Sequence, residues 1–330
     1  MRRRDFLIAV PAIGFSLAAP EAHAQADVLV GYLLQANPDD FYAVNHFHVS
    51  HLRSRLCVLG WCGARQARII VRAGETPAAI AEAAAQLVRS NVQVIVVSGA
   101  SAAFAAKQAT ARIPIVFSYA TGPVTRRLVT SLSRPESNLT GFALMDETMP
   151  ELLELVRELL PEAQTVAYLL DPANTPDDVR ASEASEYAAL AATLGLSYRE
   201  VPVRSRAEME AAIPAAKEQG VDALIVENAT LFFVNRFVVA ETAIHHHLPV
   251  FARTVQFGAA GSLISYGEDV VDLQEHAAVY VDRLLKGARV SDLPVQQAVN
   301  LELVVNARTA RRLGIAVPPL VLARANEVIE

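Results

Sequence analysis

The residues best placed to bind a small molecule follow a short apolar run at positions 92–97. They read Ser98-Gly99-Ala100-Ser101 and lead into an alanine-rich stretch. A helix that starts after a parallel strand has unpaired N–H groups and a partial positive charge, and small residues let a ligand approach them closely. We therefore expect these four residues to contact an anionic group such as a carboxylate. An ordinary helix N-cap in a tight turn would use the same residues without a ligand.

Common catalytic and nucleotide-binding motifs do not occur in the sequence. The segment around Ser101 is not a hydrolase elbow, because Ala103 stands where G-x-S-x-G needs its second glycine. Neither G-x-G-x-x-G after the first apolar run nor G-x-x-x-x-G-K-[ST] is found, which removes the support for a dehydrogenase or an ATPase. The sequence therefore predicts a protein that is not an enzyme and carries no cofactor.

Clustered histidines are the sequence's best candidates for binding a metal. Residues 245–247 are three consecutive histidines at the end of a predicted helix, where the dipole favours partly cationic side chains. Neighbouring residues on a helix point in different directions, so these three do not converge on one ion. His48 and His51 can share a helix face, but no acidic or third ligand is near them in sequence, and we expect a solvated face. No metal site is predicted.

Residues at the ends of apolar runs are candidates for the wall of a ligand pocket. Aromatic rings give a large contact area with few rotatable bonds, although a single ring more often packs in a core. The candidate wall residues are Gln35, Phe41, Tyr42 and Phe232, with Tyr119 and Tyr266 in the same kind of loop.

The acidic pairs at 146–147 and 177–178 lie at loop-to-helix junctions, where compensation of the helix dipole explains them.

The order of apolar and helical segments indicates an α/β protein. Short runs rich in Val, Ile and Leu alternate with longer segments of helical periodicity, which predicts parallel sheets covered by helices on both faces. The apolar runs lie at 27–34, 67–71, 92–97, 113–117, 164–170, 196–203, 221–226, 248–251 and 262–266. The helical segments include 76–90, 149–160, 178–194, 206–218 and 269–286.

The spacing of these runs favours two lobes. Four runs precede residue 120 and five follow residue 163, and the segment 134–152 between them mixes Pro, Gly and polar residues. We predict that this segment crosses between the lobes. Ligands of open parallel sheets bind outside the carboxyl ends of the strands. The sequence therefore predicts two doubly wound parallel-sheet lobes with a hinge and an interlobe cleft that holds the ligand.

The N-terminal residues have the pattern of a secretory signal peptide. Arginines at positions 2–4 precede an apolar run at 6–19, and residues 22–24 read Ala-His-Ala, a small-x-small cleavage pattern. The apolar run is shorter than the ~20 residues of a spanning helix. We expect cleavage after Ala24 and a periplasmic mature chain. The paired arginines fit twin-arginine export, and general secretion stays open.

Charge and cysteine content limit the partners. The 330-residue chain is 52% hydrophobic and 19% charged with a net charge of −6, which argues against a nucleic-acid partner.

Cys57 and Cys62 are the two cysteines, and disulfides persist in the periplasm, where we expect the mature chain. A local disulfide and two separate thiols are both compatible with this spacing, whereas a structural zinc site is not.

Segments along nearly the whole mature chain resemble one family. The most specific motifs lie in the C-terminal part of the chain, where SYG, YVDRLLKGA, DLPVQQ, LG and PP follow one another in this order. On these residues the chain resembles bacterial ABC-transporter solute-binding proteins of the tryptophan-type family. The segments that carry the resemblance are 1–7, 113–142, 166–175, 248–273, 277–297 and 302–330.

This resemblance implies a type I periplasmic-binding-protein fold, in which two lobes joined by three crossings hold a ligand between them. Such proteins deliver the ligand to an inner-membrane ABC permease and perform no chemistry. The implied ligand is a small carboxylate, with an amino acid, aromatic amino acids included, as the first expectation. We also expect a monomer.

The resemblance also implies a division of the chain. It comprises a signal peptide at 1–24, an N-terminal lobe at 27–143 completed by part of 267–300, a C-terminal lobe at 144–266, and a segment near the hinge at 301–330.

The resemblance also transfers a set of binding residues to this sequence. The turn at 98–101 would hold the ligand carboxylate, and the loop after the fourth run would lie beside it. From the other lobe, the Asp-Pro-Ala-Asn of this chain matches the family's motif, as does the tyrosine of SYG. The implied ligand-binding residues are Ser98, Gly99, Ala100, Ser101, Tyr119, Thr121, Asp171, Asn174, Asn228 and Tyr266.

Two acidic positions of the family pattern are changed here. Gly122 stands where an aspartate usually precedes Pro-Val, and Ala229 replaces another acidic residue. Recognition of an ammonium group would then depend on Glu227, Asp171 or Glu268. Otherwise the ligand would be an organic acid without an amine. A periplasmic sensor that presents its bound form to a signalling partner would have the same sequence features.

Overall fold

The computed structural model of the protein describes residues 28–38, 48–63, 65–135, 137–145, 148–298 and 300–330. The expected signal peptide, Phe41, Tyr42 and residues 146–147 lie outside these ranges.

Six parallel strands form the first sheet: β1 (Val28–Leu34), β2 (Ala67–Ala73), β3 (Val94–Ser98), β4 (Ile115–Thr121), β5 (Leu139–Leu144) and β11 (Gln296–Gln297). Their order across the sheet is β11-β5-β4-β3-β1-β2. The sheet is covered on both faces, because alternate side chains of β3 enter different apolar clusters. Val94 and Val96 pack on one side, and Ile95 and Val97 pack on the other.

Seven strands form the second sheet: β6 (Thr165–Leu170), β7 (Ser197–Pro202), β8 (Ala223–Val226), β9 (Val250–Thr254), β10 (Ile264–Glu268), β12 (Glu302–Asn306) and β13 (Glu327–Ile329). Their order is β13-β12-β10-β9-β8-β6-β7. All neighbouring pairs are parallel except β10 and β12, which are antiparallel. The predicted α/β class with two parallel-dominated sheets is confirmed.

Helices pack on both sheets, and each sheet with its helices is called a lobe below. The first lobe contains α1 (Ser50–Val58), α2 (Pro77–Arg89), α3 (Gly99–Ala109) and α10 (Val270–Leu285). The second lobe contains α4 (Met149–Leu159), α5 (Asp177–Thr193), α6 (Arg206–Glu218), α7 (Thr230–Val234), α8 (Arg236–His245), α9 (Gln256–Ala260), α11 (Ala307–Leu313) and α12 (Pro319–Arg324).

The chain passes from one sheet to the other after β5, after β10 and after β11. The first passage lies inside the predicted crossover at 134–152, but that segment also contains β5, which the sequence pattern did not predict. Thr140 and Gly141 interrupt its apolar run. Gly141 is required there, because a Cβ would overlap the carbonyl oxygen of Phe117 on the neighbouring strand.

Residues 301–330 extend the second sheet through β12 and β13. These strands have five and three residues, too few to give a clear alternation of apolar and polar positions. Segment 267–300 in turn supplies α10 and β11 to the first lobe. Each lobe is thus completed by residues distant in sequence.

The two cysteines are paired. Cys57, in the last turn of α1, forms a disulfide with Cys62, and their Cα atoms are 4.7 Å apart. Between them, the indole Nε1 of Trp61 donates to Asp282 Oδ1 at 2.8 Å. The disulfide loop is thereby attached to α10.

Within the described ranges, no helix combines the length and the apolar character that a membrane crossing requires.

Candidate functional site

The two lobes touch at the carboxyl ends of β3, β4 and β8. Thr230, which follows β8, donates its hydroxyl to the carbonyl oxygen of Ser98 at 2.8 Å, and its Oγ1 lies 3.3 Å from the hydroxyl of Tyr119. All three residues are buried. The end of the first sheet therefore contacts the second lobe directly.

The turn at 98–101 divides its four residues between different surroundings. Ser98 directs its hydroxyl into the first lobe, 2.6 Å from the Tyr32 hydroxyl. Gly99 has φ +78°, and a Cβ on it would overlap Thr230 Oγ1. Ala100 belongs to an apolar cluster, and Ser101 lines a cavity between the lobes. The small residues expected to admit a ligand thus mainly admit the other lobe, and Ser101 alone of the four faces that cavity.

A buried polar network lies beneath this turn. The amide Nε2 of Gln274 donates to Ser118 Oγ at 2.9 Å and lies 3.0 Å from His48 Nδ1. His48 is fully buried, so the expected solvated face is wrong, and burial lowers its pKa to about 3. The network holds the Ser98 hydroxyl, and burial keeps His48 neutral.

Asp171 is the central acidic residue of the lobe junction. Its Oδ2 accepts from Gln35 Nε2 at 2.7 Å and from Ser101 Oγ at 3.4 Å, both in the first lobe. Its Oδ1 accepts from the backbone N–H of Ala173 at 2.9 Å. Burial raises the pKa of this carboxyl, and among the described residues no Lys, Arg or His nitrogen lies within 4 Å of it. Within the described ranges Asp171 is therefore held by hydrogen bonds, and Arg204 acts on its carboxyl only from a longer distance.

Glu227 supports the loop that carries Asp171. Its carboxylate accepts from the backbone N–H of Asp171 at 2.8 Å and from Asn174 Nδ2 at 2.9 Å. Burial raises its pKa to about 7, and the nearby guanidinium of Arg126 partly opposes this rise. Asn228 contributes its carbonyl oxygen, 3.5 Å from Asn174 Nδ2. Asp171, Asn174 and Asn228 are thus brought together.

A cavity of about 370 Å³ lies beside Asp171, between the two lobes. One face of α2 and one face of α3 line it from the first lobe, and the loop after β6 closes it from the second. Two polar atoms of buried residues on its wall, Gln35 Oε1 and Thr175 Oγ1, have no hydrogen-bond partner within the described part of the chain. The lining residues are Gln35, Pro77, Ile80, Ala81, Ser101, Phe104, Ala105, Gln108, Ala173, Thr175 and Pro176.

The N-termini of three helices converge on this cavity. Pro77 is the first residue of α2, Ser101 lies in the first turn of α3, and Pro176 precedes α5. The first turns of α2 and α3 contain no acidic residue, whereas α5 begins with Asp177 and Asp178. The first turn of α2 therefore leaves its partial positive charge for an anion, whereas the start of α3 already has the Asp171 carboxylate 3.4 Å from Ser101 Oγ.

A family model described as ABC transporter substrate binding protein matches residues 66–329, most of the chain. The chain belongs to this family. Proteins of this family are substrate-binding proteins and not enzymes, as the sequence predicted.

Solved structures show the same fold. An ABC domain in complex with L-Trp from Streptococcus pneumonia superposes with a TM-score of 0.77, at 24% identity over 92% of this chain and all of that one. A conserved domain protein from Vibrio cholerae gives 0.78 at 26% identity, again over 92% and 100%. The ligand-free, open structure of a substrate binding protein from Clostridium difficile gives 0.56 at 21% identity, over 92% and 99%. The expected type I periplasmic-binding-protein fold is confirmed.

One curated relative is similar in sequence. It is a tyrosine-binding protein of Clostridioides difficile, 26% identical over 235 residues. The match covers 70% of this chain and 66% of the relative, slightly less than two thirds of its length.

The other sequence-predicted residues of this substrate-binding protein lie elsewhere. Thr121 is buried at the end of β4, and Tyr119 belongs to the apolar core of the first lobe. Tyr266 lies in β10, where its nearest charged groups include Glu151 and Arg324. Phe232 is buried in the core of the second lobe, among β8 and α8 side chains, and does not line the cavity. Phe41 and Tyr42 lie outside the described residues.

Sequence reasoning missed several cavity residues that periodicity could have found. On α3, Ser101, Phe104 and Gln108 are spaced i, i+3 and i+7, and on α2, Pro77 and Ile80 are three apart. Because Ser101 was expected to contact the ligand, Phe104 and Gln108 on the same helix face could have been expected to line the same cavity. Thr230 and Arg126 had no comparable signal, because their contacts are with the opposite lobe.

Replacing Gly99 tests the contact between the lobes. Gly99→Ala should lower the free energy of unfolding by more than the roughly 1–2 kcal/mol that a left-handed backbone costs a non-glycine residue, because its Cβ also overlaps Thr230 Oγ1. Gly60→Ala is the matched control, since Gly60 has φ +95° and nothing within 4 Å of an added Cβ. Urea unfolding of both variants, and of Gly99→Ala combined with Thr230→Ala, gives the comparison. Equal losses for the two glycines would show that the lobes do not meet at Gly99.

Glu227 should make stability depend on pH. Its pKa is about 7 in the folded protein and 4.5 ordinarily, so between these values the folded state binds the proton more tightly than the unfolded state. The free energy of unfolding should therefore fall as pH rises from 4.5 to 7. Thermal melts should show a shallower fall for Glu227→Gln than for the wild type, with the exposed Glu186→Gln as control. Parallel pH profiles for the wild type and Glu227→Gln would contradict the buried carboxyl.

Proposed function

We propose that this substrate-binding protein works in the periplasm, where it captures an amino acid between its lobes and delivers it to an ABC permease of the inner membrane. The observation that carries the proposal is the interlobe cavity, where helix N-termini, a carboxylate held by neutral donors and apolar walls lie together. Residues 1–24 would be the signal peptide, cleaved after Ala24, and the mature protein would act as a monomer.

The carboxylate of the ligand would bind at the N-termini of α2 and α3. Their first turns carry no acidic side chain, and Ser101 supplies a hydroxyl on the cavity wall. Thr175 Oγ1 on the opposite wall is available as a further donor. These groups match a small anion in charge and in hydrogen-bonding capacity.

The ammonium group of the ligand would bind Asp171. Asp171 replaces the acidic side chains that Gly122 and Ala229 do not provide. It lies behind Gln35 and Ser101 on the cavity wall, so an ammonium displaces one of these donors from Oδ2. A cation there compensates the burial that raises the pKa of the carboxyl.

The side chain of the ligand would pack on the apolar part of the cavity. Ile80, Phe104 and Pro176 provide this surface, and 370 Å³ is enough for an aromatic amino acid. The tyrosine-binding relative and the L-Trp complex support an aromatic ligand. Because both lobes contribute walls, the ligand favours the closed arrangement, which a permease can distinguish. The higher TM-score with the L-Trp complex than with the open structure supports treating the lobe contacts described above as those of the closed arrangement.

A melting-shift screen of the purified mature protein against amino acids and their counterparts without the amino group tests the proposal. At least one amino acid should raise the melting temperature with 1:1 stoichiometry by calorimetry. Asp171→Asn should weaken that binding by about 10–100-fold, the loss of a charge-assisted hydrogen bond, and leave the affinity for the counterpart without an amine nearly unchanged. The Gln35 amide can rotate to accept from the side-chain amide that the substitution introduces, so the variant should fold.

Asp178→Asn is the control, because this carboxylate is also at the lobe junction but is exposed. Binding of carboxylates without an amine in preference to amino acids would favour an organic-acid receptor. A wild-type protein that no carboxylate stabilises would overturn the proposed site.

A further inference from the structure

Arg126 is the largest fully buried side chain of the described residues, with 1% of its surface exposed. It lies in the first lobe, between β4 and β5, in a turn where its backbone N–H donates to the carbonyl of Gly122 at 2.8 Å. Gly122 has φ +49°, a conformation that glycine adopts without strain. Gly122, which stands where the family pattern has an aspartate, thus begins a turn that buries the guanidinium of Arg126.

The guanidinium of Arg126 reaches two carboxylates of the second lobe. Its Nη2 donates to Glu183 Oε1 at 3.1 Å, on α5, and its Nη1 lies 3.9 Å from Glu227 Oε1, after β8. Glu227 also accepts from the backbone N–H of Asp171. One side chain of the first lobe is therefore connected to the loop that carries Asp171.

Arg126 does not line the cavity, so its role differs from that of a ligand-binding residue. Opening the lobes would separate it from Glu183 and Glu227 and expose all three groups to water. Closing them returns Arg126 and Glu227 to a buried site, where leaving one of the two charges without the other is strongly unfavourable.

We propose that Arg126 is a positioning residue that holds the lobes closed over the ligand without touching it. The proposal rests on the proposed function for the ligand, but the closure itself can be measured separately. The neighbouring pair provides a control within the same interface. Arg127 pairs with Asp178 across the lobes, but both side chains are about two-thirds exposed, so this pair contributes little.

The test compares Arg126→Met with Arg127→Met in the full mature chain. With the amino acid that stabilises the wild type, Arg126→Met should raise Kd at least about tenfold, through a faster off-rate at a nearly unchanged on-rate. Arg127→Met should stay within about twofold of the wild type. Arg126→Lys should recover part of the loss, because it restores a charge but not the forked geometry. A general folding defect would instead lower the amount of active protein and leave the off-rate of that fraction unchanged.

Small-angle scattering with and without the amino acid separates the two proposals. Arg126→Met should have a larger radius of gyration than Arg127→Met. Equal affinities and equal radii for the two variants, with normal amino-acid binding by the wild type, would overturn the role of Arg126 alone. If no amino acid binds the wild type but Arg126→Met is still the more open variant, the proposed ligand is wrong and the role of Arg126 stands. If neither binding nor a difference in radius is found, both are wrong.

Discussion

Closing two lobes over the carboxyl ends of parallel strands removes water from polar groups that the sheets leave unpaired. Each such group must then meet a partner from the other lobe or a ligand. In this protein the Ser98 carbonyl meets Thr230, and the Asp171 carboxylate meets Gln35 and Ser101. The absence of a side chain at Gly99 sets how closely the lobes approach. On the wall of the cavity beside Asp171, two buried polar atoms, Gln35 Oε1 and Thr175 Oγ1, have no partner among the described residues.

Electrostatics at this junction favours a ligand with both charges. The N-terminus of α2, whose first turn carries no acidic residue, favours an anion, and a buried Asp171 held by neutral donors favours a cation. The helix N-terminus lines the cavity from the first lobe, and Asp171 of the second lobe lies behind Gln35 and Ser101 on its wall. A zwitterion satisfies both, whereas an acid without an amine satisfies only the first.

Local sequence patterns predicted much of the fold and part of the site. The alternation of apolar runs and helices predicted both sheets, and the small residues after β3 predicted a close approach. That prediction concerned a ligand, and the structure places Thr230 of the other lobe against Ser98 and Gly99 instead, because contacts between lobes depend on how the two halves meet. Short strands such as β12 and β13 were missed because five and three residues give no clear alternation, and pairing within the second sheet completes them. Phe232 shows the opposite error, since a ring beside a strand end was assigned to a pocket wall but lies in a core. Arg126 was unpredictable because it is one of two consecutive arginines in the sequence, and nothing in the sequence shows that one is buried and the other exposed.

The most direct test is a crystal structure of the protein with the amino acid that raises its melting temperature most. The account predicts the ligand in the cavity between α2, α3 and the loop after β6. Its carboxylate should lie at the helix N-termini near Ser101, its ammonium within hydrogen-bonding distance of Asp171, and its side chain against Phe104. A ligand bound elsewhere, or bound here with the carboxylate and ammonium exchanged, would contradict the account.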